Sequence, residues 1–184
     1  PTISRRQRQM CIRDSANGVR MKAVLDIIPY GEDWRRAGEY LKQAMGDIGI
    51  ALELRYEDVP TWLKRVYHNY DFEMNVNYFY QLPDPVLGVH RHYGTDQIRK
   101  GTHFVNSSRY SNSKLDALLD SGAGEPDAGK RTAKYKEIQQ ILAEDMPVVN
   151  LFELEFLVVY NTKLKGVYDS AMGAYGSFRE GYLD

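Results

Sequence analysis

The sequence is poor in the features that would assign a chemistry at once. Its 184 residues contain a single cysteine, Cys11, which excludes an internal disulfide and a cysteine-based metal cluster. The formal net charge is −1, and acidic and basic residues are interspersed, so no basic surplus indicates a nucleic-acid or membrane-surface partner. No apolar run approaches the roughly 18 residues of a membrane-spanning helix. These absences favour a domain with one main core and perhaps a short appendage.

Short motifs of several enzyme classes are also missing. Gly122-Ala123-Gly124 is not followed by the Lys-Ser/Thr pair of a phosphate-binding loop. The sequence contains neither G-x-S-x-G nor H-E-x-x-H. We therefore predict that the protein is not an enzyme and uses no cofactor. A carboxylate-based hydrolase is the less favoured alternative, because a pair of acidic residues that meets only in the fold cannot be recognised from sequence.

Residues 1–16 differ from the rest of the chain. They are rich in arginine and have no hydrophobic periodicity. They also lack the apolar segment of a secretory signal peptide, so we expect any export signal to lie outside this chain. We interpret residues 1–16 as a disordered or non-native tail; a basic arm for an anionic partner is the less favoured interpretation.

The first patterned region predicts a strand, a helix and a strand. Met21 to Ile28 is apolar on both faces, as in a strand buried within a parallel sheet, and Pro29 to Gly31 ends it. Apolar residues recur at helical spacing from about Asp33 to Ile48, and Gly49 suits the left-handed position that closes a helix. Alternation from Ile50 to Tyr56 predicts the second strand. Such a βαβ unit is right-handed almost without exception.

A short helix and a third strand follow. Pro60 begins the helix, and its apolar stripe consists of Trp62, Leu63, Val66 and Tyr67. From Asp71 to Tyr80 the side chains alternate with period two, which predicts a strand with one strongly apolar face. That face consists of Phe72, Met74, Val76, Tyr78 and Tyr80. The pattern ends at Gln81, because Pro83-Asp84-Pro85 cannot continue a ladder.

The order β-α-β-α-β is that of a doubly wound sheet. In this architecture the carboxyl ends of the strands share one edge, where ligands bind. We therefore expect Pro29 to Gly31 and Tyr80 to Asp84 at the same edge. An ordinary strand followed by an ordinary turn is the alternative. If the apolar face packs inward, Tyr78 is a core residue, and Asn77, Phe79 and Gln81 face the ligand.

Residues 86–113 form a long polar and aromatic segment, which predicts a functional loop. A helix is predicted from Lys114 to about Leu119, with Asn112 or Ser113 as its cap.

Asp127 can cap a longer helix from Ala128 to Asp145, which Pro147 ends. Its apolar stripe consists of Tyr135, Ile138, Ile141, Leu142 and Met146. Val148 to Phe152 and Phe156 to Tyr160 are predicted strands. The remainder, 167–184, is glycine-rich and weakly patterned.

Several short segments, each weak alone, occur in an order that is distinctive when they are taken together. They are Asn17 to Arg20, Leu41 to Leu54, Tyr70 to Met74, Asp84-Pro85, Tyr110 to Leu118, Arg131, Tyr135, Ile141 to Pro147 and Asn161 to Gly166. In this order they resemble the C-terminal portion of the family 5 extracellular solute-binding proteins, the peptide-, nickel- and opine-binding components of ABC importers.

The resemblance implies a fold and a domain plan. The fold class is α/β, a periplasmic-binding-protein-like (type II) lobe with a mixed, mostly parallel sheet and helices on both faces. Residues 17–166 would be the second lobe of a two-lobed protein, and residues 167–184 would return to a first lobe that this chain lacks.

The resemblance also implies solute capture. Members of the family close two lobes on a ligand by hinge bending and deliver it to ABC permease subunits. They work in the periplasm or outside the cell, and reach the membrane only through the permease or a lipid anchor. In this lobe the cleft wall is the carboxyl end of the strand at 70–80. The predicted ligand-binding residues are Asn77, Tyr78, Phe79, Gln81 and Asp84.

Position 81 departs from the pattern of the peptide-binding members. They place there an aspartate that pairs with the amino terminus of the peptide, whereas this chain has Gln81. An amide cannot form the charge-assisted hydrogen bond that favours an ammonium group. This argues against a peptide with a free amino terminus. The predicted ligand is an oligopeptide or another polar solute, such as a sugar or an opine that stacks on Tyr78.

Two other interpretations are weaker. His90 and His92, together with His103, could bind a metal, but two histidines at i and i+2 without carboxylate or cysteine support are a weak signal, and we predict no metal. The same lobe could also be the ligand-sensing domain of a regulator. A helix-turn-helix upstream of the lobe would reveal a regulator, and a signal peptide would reveal an importer component.

Overall fold

The computed structural model of the chain describes residues 18–154, 158–167 and 176–184. The chain divides into two compact units. The first comprises the residues up to Phe79 together with Arg99–Ser107, and the second comprises Tyr80–Ile98 and Ser108–Asp184. The predicted tail at 1–16 lies outside the described residues, and the one-lobe boundary at 17–166 stays a prediction.

The first unit is built on a three-stranded parallel sheet. Its elements in chain order are β1 (Met21–Ile27), α1 (Glu32–Gly46), β2 (Ile50–Tyr56), α2 (Val59–Leu63) with a π-helical turn (Lys64–Asn69), and β3 (Met74–Val76). The strand order is β2-β1-β3, and both neighbours run parallel to β1. The predicted strand-helix-strand-helix-strand order is therefore confirmed, and the fold is α/β.

Helices lie on both faces of this sheet. On one face α1 approaches closely: a Cβ at Gly38 would lie 2.7 Å from Ile27 Cδ1 and 3.7 Å from Leu54 Cδ1. On the other face, which carries Asp26, the π-helical turn brings Arg65 Nε to 3.7 Å from Asp26 Oδ1. This two-sided cover explains why β1 is apolar on both faces, since successive residues Leu25, Asp26 and Ile27 are all buried.

One hydrophobic core fills the first unit. Its buried members include Leu25, Ile27, Ile28, Trp34, Leu52, Trp62, Val66, Tyr67, Val76 and Val105. Each large aliphatic or aromatic side chain removed from water in this way stabilises the fold by roughly 1.5–3 kcal/mol. The predicted stripe of the second helix is confirmed at Trp62, Val66 and Tyr67, whereas Leu63 is half-buried.

The third strand is shorter than its alternation predicts, which corrects the prediction of a strand from Asp71 to Tyr80. β3 covers only Met74–Val76 because its partner β1 ends at Ile27, so no ladder is available farther along the chain. Ile28 N makes the last such bond, donating to Val76 O at 3.2 Å. At the other end a side chain replaces the ladder, since Val24 N donates to Glu73 Oε2.

The second unit contains the longer helices of the C-terminal half. Its elements are two 3₁₀ turns (Pro85–Leu87 and Thr95–Gln97), α3 (Val89–Tyr93), α4 (Ser113–Ala123), α5 (Ala128–Asp145), and a two-stranded antiparallel sheet, β4 (Leu164–Lys165) with β5 (Tyr182–Leu183). The segment 86–113 is therefore partly helical rather than a single loop. Leu115, Leu119, Ile138 and Ile141 form the buried core between α4 and α5.

The cap of α4 is Asn112 rather than Ser113, and the predicted cap Asp127 is confirmed for α5. Asn112 Oδ1 accepts hydrogen bonds from the N–H groups of Lys114 (3.0 Å) and Leu115 (3.1 Å). Asp127 Oδ1 accepts one from Lys130 N at 2.8 Å. Met146, predicted in the apolar stripe of the long helix, is instead 60% exposed, because the helix ends at Asp145 and Met146 adopts a left-handed conformation.

The predicted strand at Val148 to Phe152 is wrong, and so is the strand predicted for the described residues 158–160. Residues 156–157 of that second prediction lie outside the described residues. Val149, Leu151, Phe152, Val158 and Val159 are exposed. An alternating pattern forms a strand only where a partner supplies the ladder, and the described residues do not pair with these segments.

The end of the chain pairs within the second unit. Leu183 lies opposite Leu164, and Tyr182 lies opposite Lys165. Residues 168–175 lie outside the described residues, and the return of 167–184 to a first lobe stays a prediction. Among the described residues no helix is long and apolar enough to span a membrane.

Candidate functional site

The carboxyl edge of the first unit's sheet is where its strands give way to polar and aromatic residues. β1 ends at Ile27 and is followed by Tyr30, and β3 ends at Val76 and is followed by Asn77 and Tyr78. Tyr30 and Tyr78 meet edge to face, with ring centroids 5.6 Å apart. The turn after the first strand and the residues after the third therefore lie side by side at this edge, as is usual for a ligand site in an α/β sheet.

Tyr78 is the centre of an aromatic cluster. Its ring centroid lies 5.7 Å from that of Trp34 and 6.3 Å from that of Phe104. Tyr78 is half-buried and packs against the core, while Tyr30 is 40% exposed. The interpretation of Tyr78 as a core residue is thus correct for part of its surface. The cluster can still offer ring edges and faces to a solute through Tyr30.

Asn77 is held in one orientation by two hydrogen bonds. Its Nδ2 donates to Tyr67 Oη at 2.6 Å, and its Oδ1 accepts from Tyr78 N at 2.9 Å. Burial raises the pKa of Tyr67 to about 12, so this hydroxyl stays protonated at neutral pH. Phe79, the last residue of this stretch in the first unit, is half-buried.

Gln81 lies in the second unit and is fixed by a buried histidine. Its Nε2 is 3.3 Å from His92 Nδ1, and His92 is only 2% exposed. Burial and the neighbouring Arg91 lower the pKa of His92 to about 3, so the imidazole is neutral and Nδ1 can accept the bond. Gly88 packs directly against Gln81, because a Cβ there would lie 2.2 Å from Gln81 Oε1.

Asp84, also in the second unit, has structural partners. Its Oδ1 accepts hydrogen bonds from Arg131 Nη2 at 2.7 Å and from Val86 N at 2.9 Å. These two bonds hold the pKa of the Asp84 carboxyl below its usual range. Asp84 therefore caps the 3₁₀ turn Pro85–Leu87, and its role as a ligand-binding residue stays a prediction.

The histidines that could have formed a metal site have separate partners. His90 Nε2 lies 2.9 Å from Tyr135 Oη, and His92 contacts Gln81. His103 belongs to the first unit, where its Nε2 lies 3.1 Å from His68 Nε2. In the described parts of the chain no group of three or more His, Cys, Asp or Glu side chains is arranged to hold a metal ion.

Sequence reasoning missed a buried charge network beside the sheet. Asp26 is fully buried in β1, with Arg55 Nη1 at 3.4 Å, and burial raises the pKa of its carboxyl even though Arg55 and Arg65 oppose this. Arg65 also pairs with Glu57 (2.7 Å) and Asp71 (2.6 Å). The available signal was an aspartate inside a strand that is apolar on both sides, which needs charged partners.

Two surface grooves are lined by other residues. One, of about 400 Å³, runs between α4 and α5, and the other, of about 290 Å³, lies on β1 and β2 beside Glu73. Neither is lined by a predicted ligand-binding residue. The carboxyl edge is therefore a better candidate than either groove, because it combines polar and aromatic side chains at strand ends.

Taken together, the parallel sheet and the helices on both its faces define an α/β fold, and the aromatic and amide side chains follow the strand ends, where ligands usually bind in such sheets. No family model matches the chain. Two curated proteins do. The chain is 27% identical over 135 residues to the Probable D,D-dipeptide-binding periplasmic protein DdpA of Escherichia coli (strain K12), covering 73% of this chain and 25% of that protein. It is 26% identical over 148 residues to the Di/tripeptide-binding protein 1 of Pseudomonas aeruginosa (strain UCBPP-PA14), covering 80% of this chain and 26% of that protein.

Among solved structures, the fold is similar to that of a periplasmic oligopeptide-binding protein of an oligopeptide ABC transporter from Thermotoga maritima, bound to mannohexaose. The TM-score is 0.63 with 22% identity, over 71% of this chain and 25% of that one. The chain spans about a quarter of the length of the curated relatives it matches. These comparisons confirm the resemblance to the family 5 solute-binding proteins and support a periplasmic or extracellular location. Both relatives are named as binding proteins rather than enzymes.

Proposed function

We propose that this chain is part of a substrate-binding protein that captures a polar solute for an ABC importer. The observation that carries the proposal is the carboxyl edge of the sheet, where Tyr30, Asn77 and Tyr78 follow the ends of two parallel strands. The peptide-binding relatives support it. In this proposal a second lobe, outside this chain, closes over the solute by hinge bending, and permease subunits receive it.

The proposed ligand-binding residues are Asn77, Tyr78, Phe79, Gln81 and Asp84. In the first unit the aromatic cluster supplies ring surface, while Asn77 is oriented by its own two hydrogen bonds. In the second unit Gln81 offers an amide that a neutral histidine holds in place. Fixed polar groups of this kind lower the entropic cost of binding.

We further propose that the solute does not depend on a charged amino terminus. Gln81 is uncharged, so it can exchange hydrogen bonds with a peptide amide, a hydroxyl or a carbonyl but cannot attract an ammonium group as a carboxylate does. One relative is named for di- and tripeptides, and the Thermotoga maritima structure holds mannohexaose. These names suggest the two solute classes to test.

Isothermal titration calorimetry on the longer protein that contains this chain tests the proposal. Trialanine, N-acetyl-trialanine and mannohexaose serve as probes. We expect at least one probe to bind, and acetylation to leave the affinity for trialanine within about threefold, because the uncharged Gln81 makes no charge-assisted bond to the ammonium group that acetylation could remove. Gln81→Ala should weaken binding by about 2–10-fold, the value of one neutral hydrogen bond.

The matched control is Gln43→Ala, which removes an exposed glutamine of α1. It should leave the affinity unchanged. An unchanged affinity in Gln81→Ala would remove Gln81 from the site, and failure of all three probes to bind the longer protein would count against solute capture of either class.

A further inference from the structure

Two histidines of the first unit bring their imidazole nitrogens together at the surface. His68 Nε2 and His103 Nε2 are 3.1 Å apart, and the ring centroids are 5.3 Å apart. His68 lies in the π-helical turn after α2, and His103 lies in the segment Arg99–Ser107, 35 residues farther along the chain. Both side chains are exposed, so an ion can reach them from solvent.

The backbone around the pair fixes this geometry. Gly101 N donates to Tyr67 O at 2.8 Å, which ties the His103 segment to the turn that carries His68. The Tyr67 ring, which is fully buried, lies 5.8 Å from the His103 ring. Gly101 has a φ of +86° and faces the His68 ring, so the chain passes close to it without a side chain between them.

The separation of the two nitrogens suits a divalent metal ion. Imidazole nitrogens bind zinc at about 2.0–2.1 Å, which places two ligands of a tetrahedral ion about 3.4 Å apart and two adjacent ligands of an octahedral ion about 2.9 Å apart. The observed 3.1 Å lies between these values. A displacement of a few tenths of an ångström in exposed side chains satisfies either geometry.

We propose that His68 and His103 form a two-histidine chelate for a first-row divalent ion such as Ni²⁺, Zn²⁺ or Cu²⁺, bound through the two Nε2 atoms. Since the described residues hold no cluster of three or more His, Cys, Asp or Glu ligands, water fills the remaining positions, and the site stays open. The pairing differs from the histidine set that the sequence suggested, and it does not depend on solute capture.

Metal titration tests the chelate directly. Equilibrium dialysis of the chain against NiCl₂ in a non-chelating buffer at pH 7.5 measures the stoichiometry and affinity. All proteins carry Cys11→Ser, so that the thiol cannot contribute. We expect one ion per chain, and His68→Gln or His103→Gln should each weaken binding at least about tenfold, because a single imidazole forms no chelate.

His90→Gln is the matched control, because it removes a histidine of the second unit and should leave the affinity unchanged. Circular dichroism confirms that the variants are folded.

As a second measurement, a trace of Cu²⁺ should broaden the NMR signals of the His68 and His103 rings before those of His90. No binding at millimolar NiCl₂ by the folded chain, or equal affinity in the two variants and the control, would overturn the proposal.

Discussion

Burial of His92 should make the protein less stable as the pH falls. This imidazole is 2% exposed, and burial lowers its pKa to about 3, against about 6.5 in the unfolded chain. Between these two values the unfolded state binds a proton that the folded state does not. The free energy of unfolding therefore falls as the pH falls from about 6.5 towards about 3, and is unaffected by His92 above about 6.5.

The size of the effect follows from the shift. Each pH unit in this window is worth about 1.4 kcal/mol, so His92 alone should cost about 2 kcal/mol between pH 6.5 and pH 5. Protonation would also remove the acceptor at Nδ1 that Gln81 Nε2 contacts. His90, whose pKa burial also lowers, acts in the same direction.

Urea unfolding followed by fluorescence at pH 7, 6.5 and 5 measures the effect. His92→Asn keeps an acceptor near the Nδ1 position but does not titrate in this range. Its stability should be lower at pH 7, because a cavity replaces the ring, yet it should fall by about 2 kcal/mol less than the wild type on going from pH 6.5 to 5. Since His90 titrates in both proteins, the difference isolates His92.

Equal pH dependence in wild type and His92→Asn would refute the reasoning, as would an NMR titration in which the His92 ring protonates near pH 6.

Two further predictions concern the second unit. Gly88→Ala should destabilise the fold by about 1–3 kcal/mol and displace Gln81, because the added Cβ would lie 2.2 Å from Gln81 Oε1 and 3.1 Å from its Cα. The control Gly46→Ala, whose Cβ would meet nothing within 4 Å, should be neutral or stabilising in the same urea assay, and equal effects of the two would be contrary to this packing argument. Asn112→Ala should lower the thermal midpoint by the equivalent of about 1 kcal/mol, because it removes the acceptor that caps α4; Ser113→Ala, one residue on, should change it by less than half as much.

Much of the fold could be predicted from the sequence, because strands and helix caps depend on residues that are neighbours in the chain. The span Ile50–Tyr56 was predicted to the residue, since strict alternation bounded by glycine and acidic residues leaves little choice. The helix caps Asn112 and Asp127 were also predicted, because a cap depends on the residues within one turn of it. These features depend on residues that are close together in the sequence.

The wrong predictions concern strands, because the length of a strand depends on a partner strand elsewhere in the chain. The alternation from Asp71 to Tyr80 predicted ten residues of strand, whereas only Met74–Val76 finds a partner in β1. Val148 to Phe152 has the same kind of pattern without a ladder among the described residues. A single sequence cannot show how long the neighbouring strand is.

For the candidate site, too, only part could be predicted. The sequence predicted that Asn77, Tyr78 and Gln81 follow the end of a strand, but it did not predict the residues that hold them in place. Tyr67 orients Asn77 across 10 residues of chain, and His92 fixes Gln81 across 11. No sequence pattern predicts these hydrogen-bond partners, because they depend on which helix packs against which loop.

By itself, the sequence determined the α/β class, the parallel order of the first elements and the resemblance to solute-binding proteins. These follow from periodicity and from short segments in a fixed order. Only the tertiary structure decided where the third strand ends, that Asp84 pairs with Arg131, that Asp26 lies buried among arginines and that His68 meets His103. The physical reason is range: periodicity reports whether a face meets water, whereas hydrogen bonds and ion pairs depend on residues that only folding brings within about 3 Å.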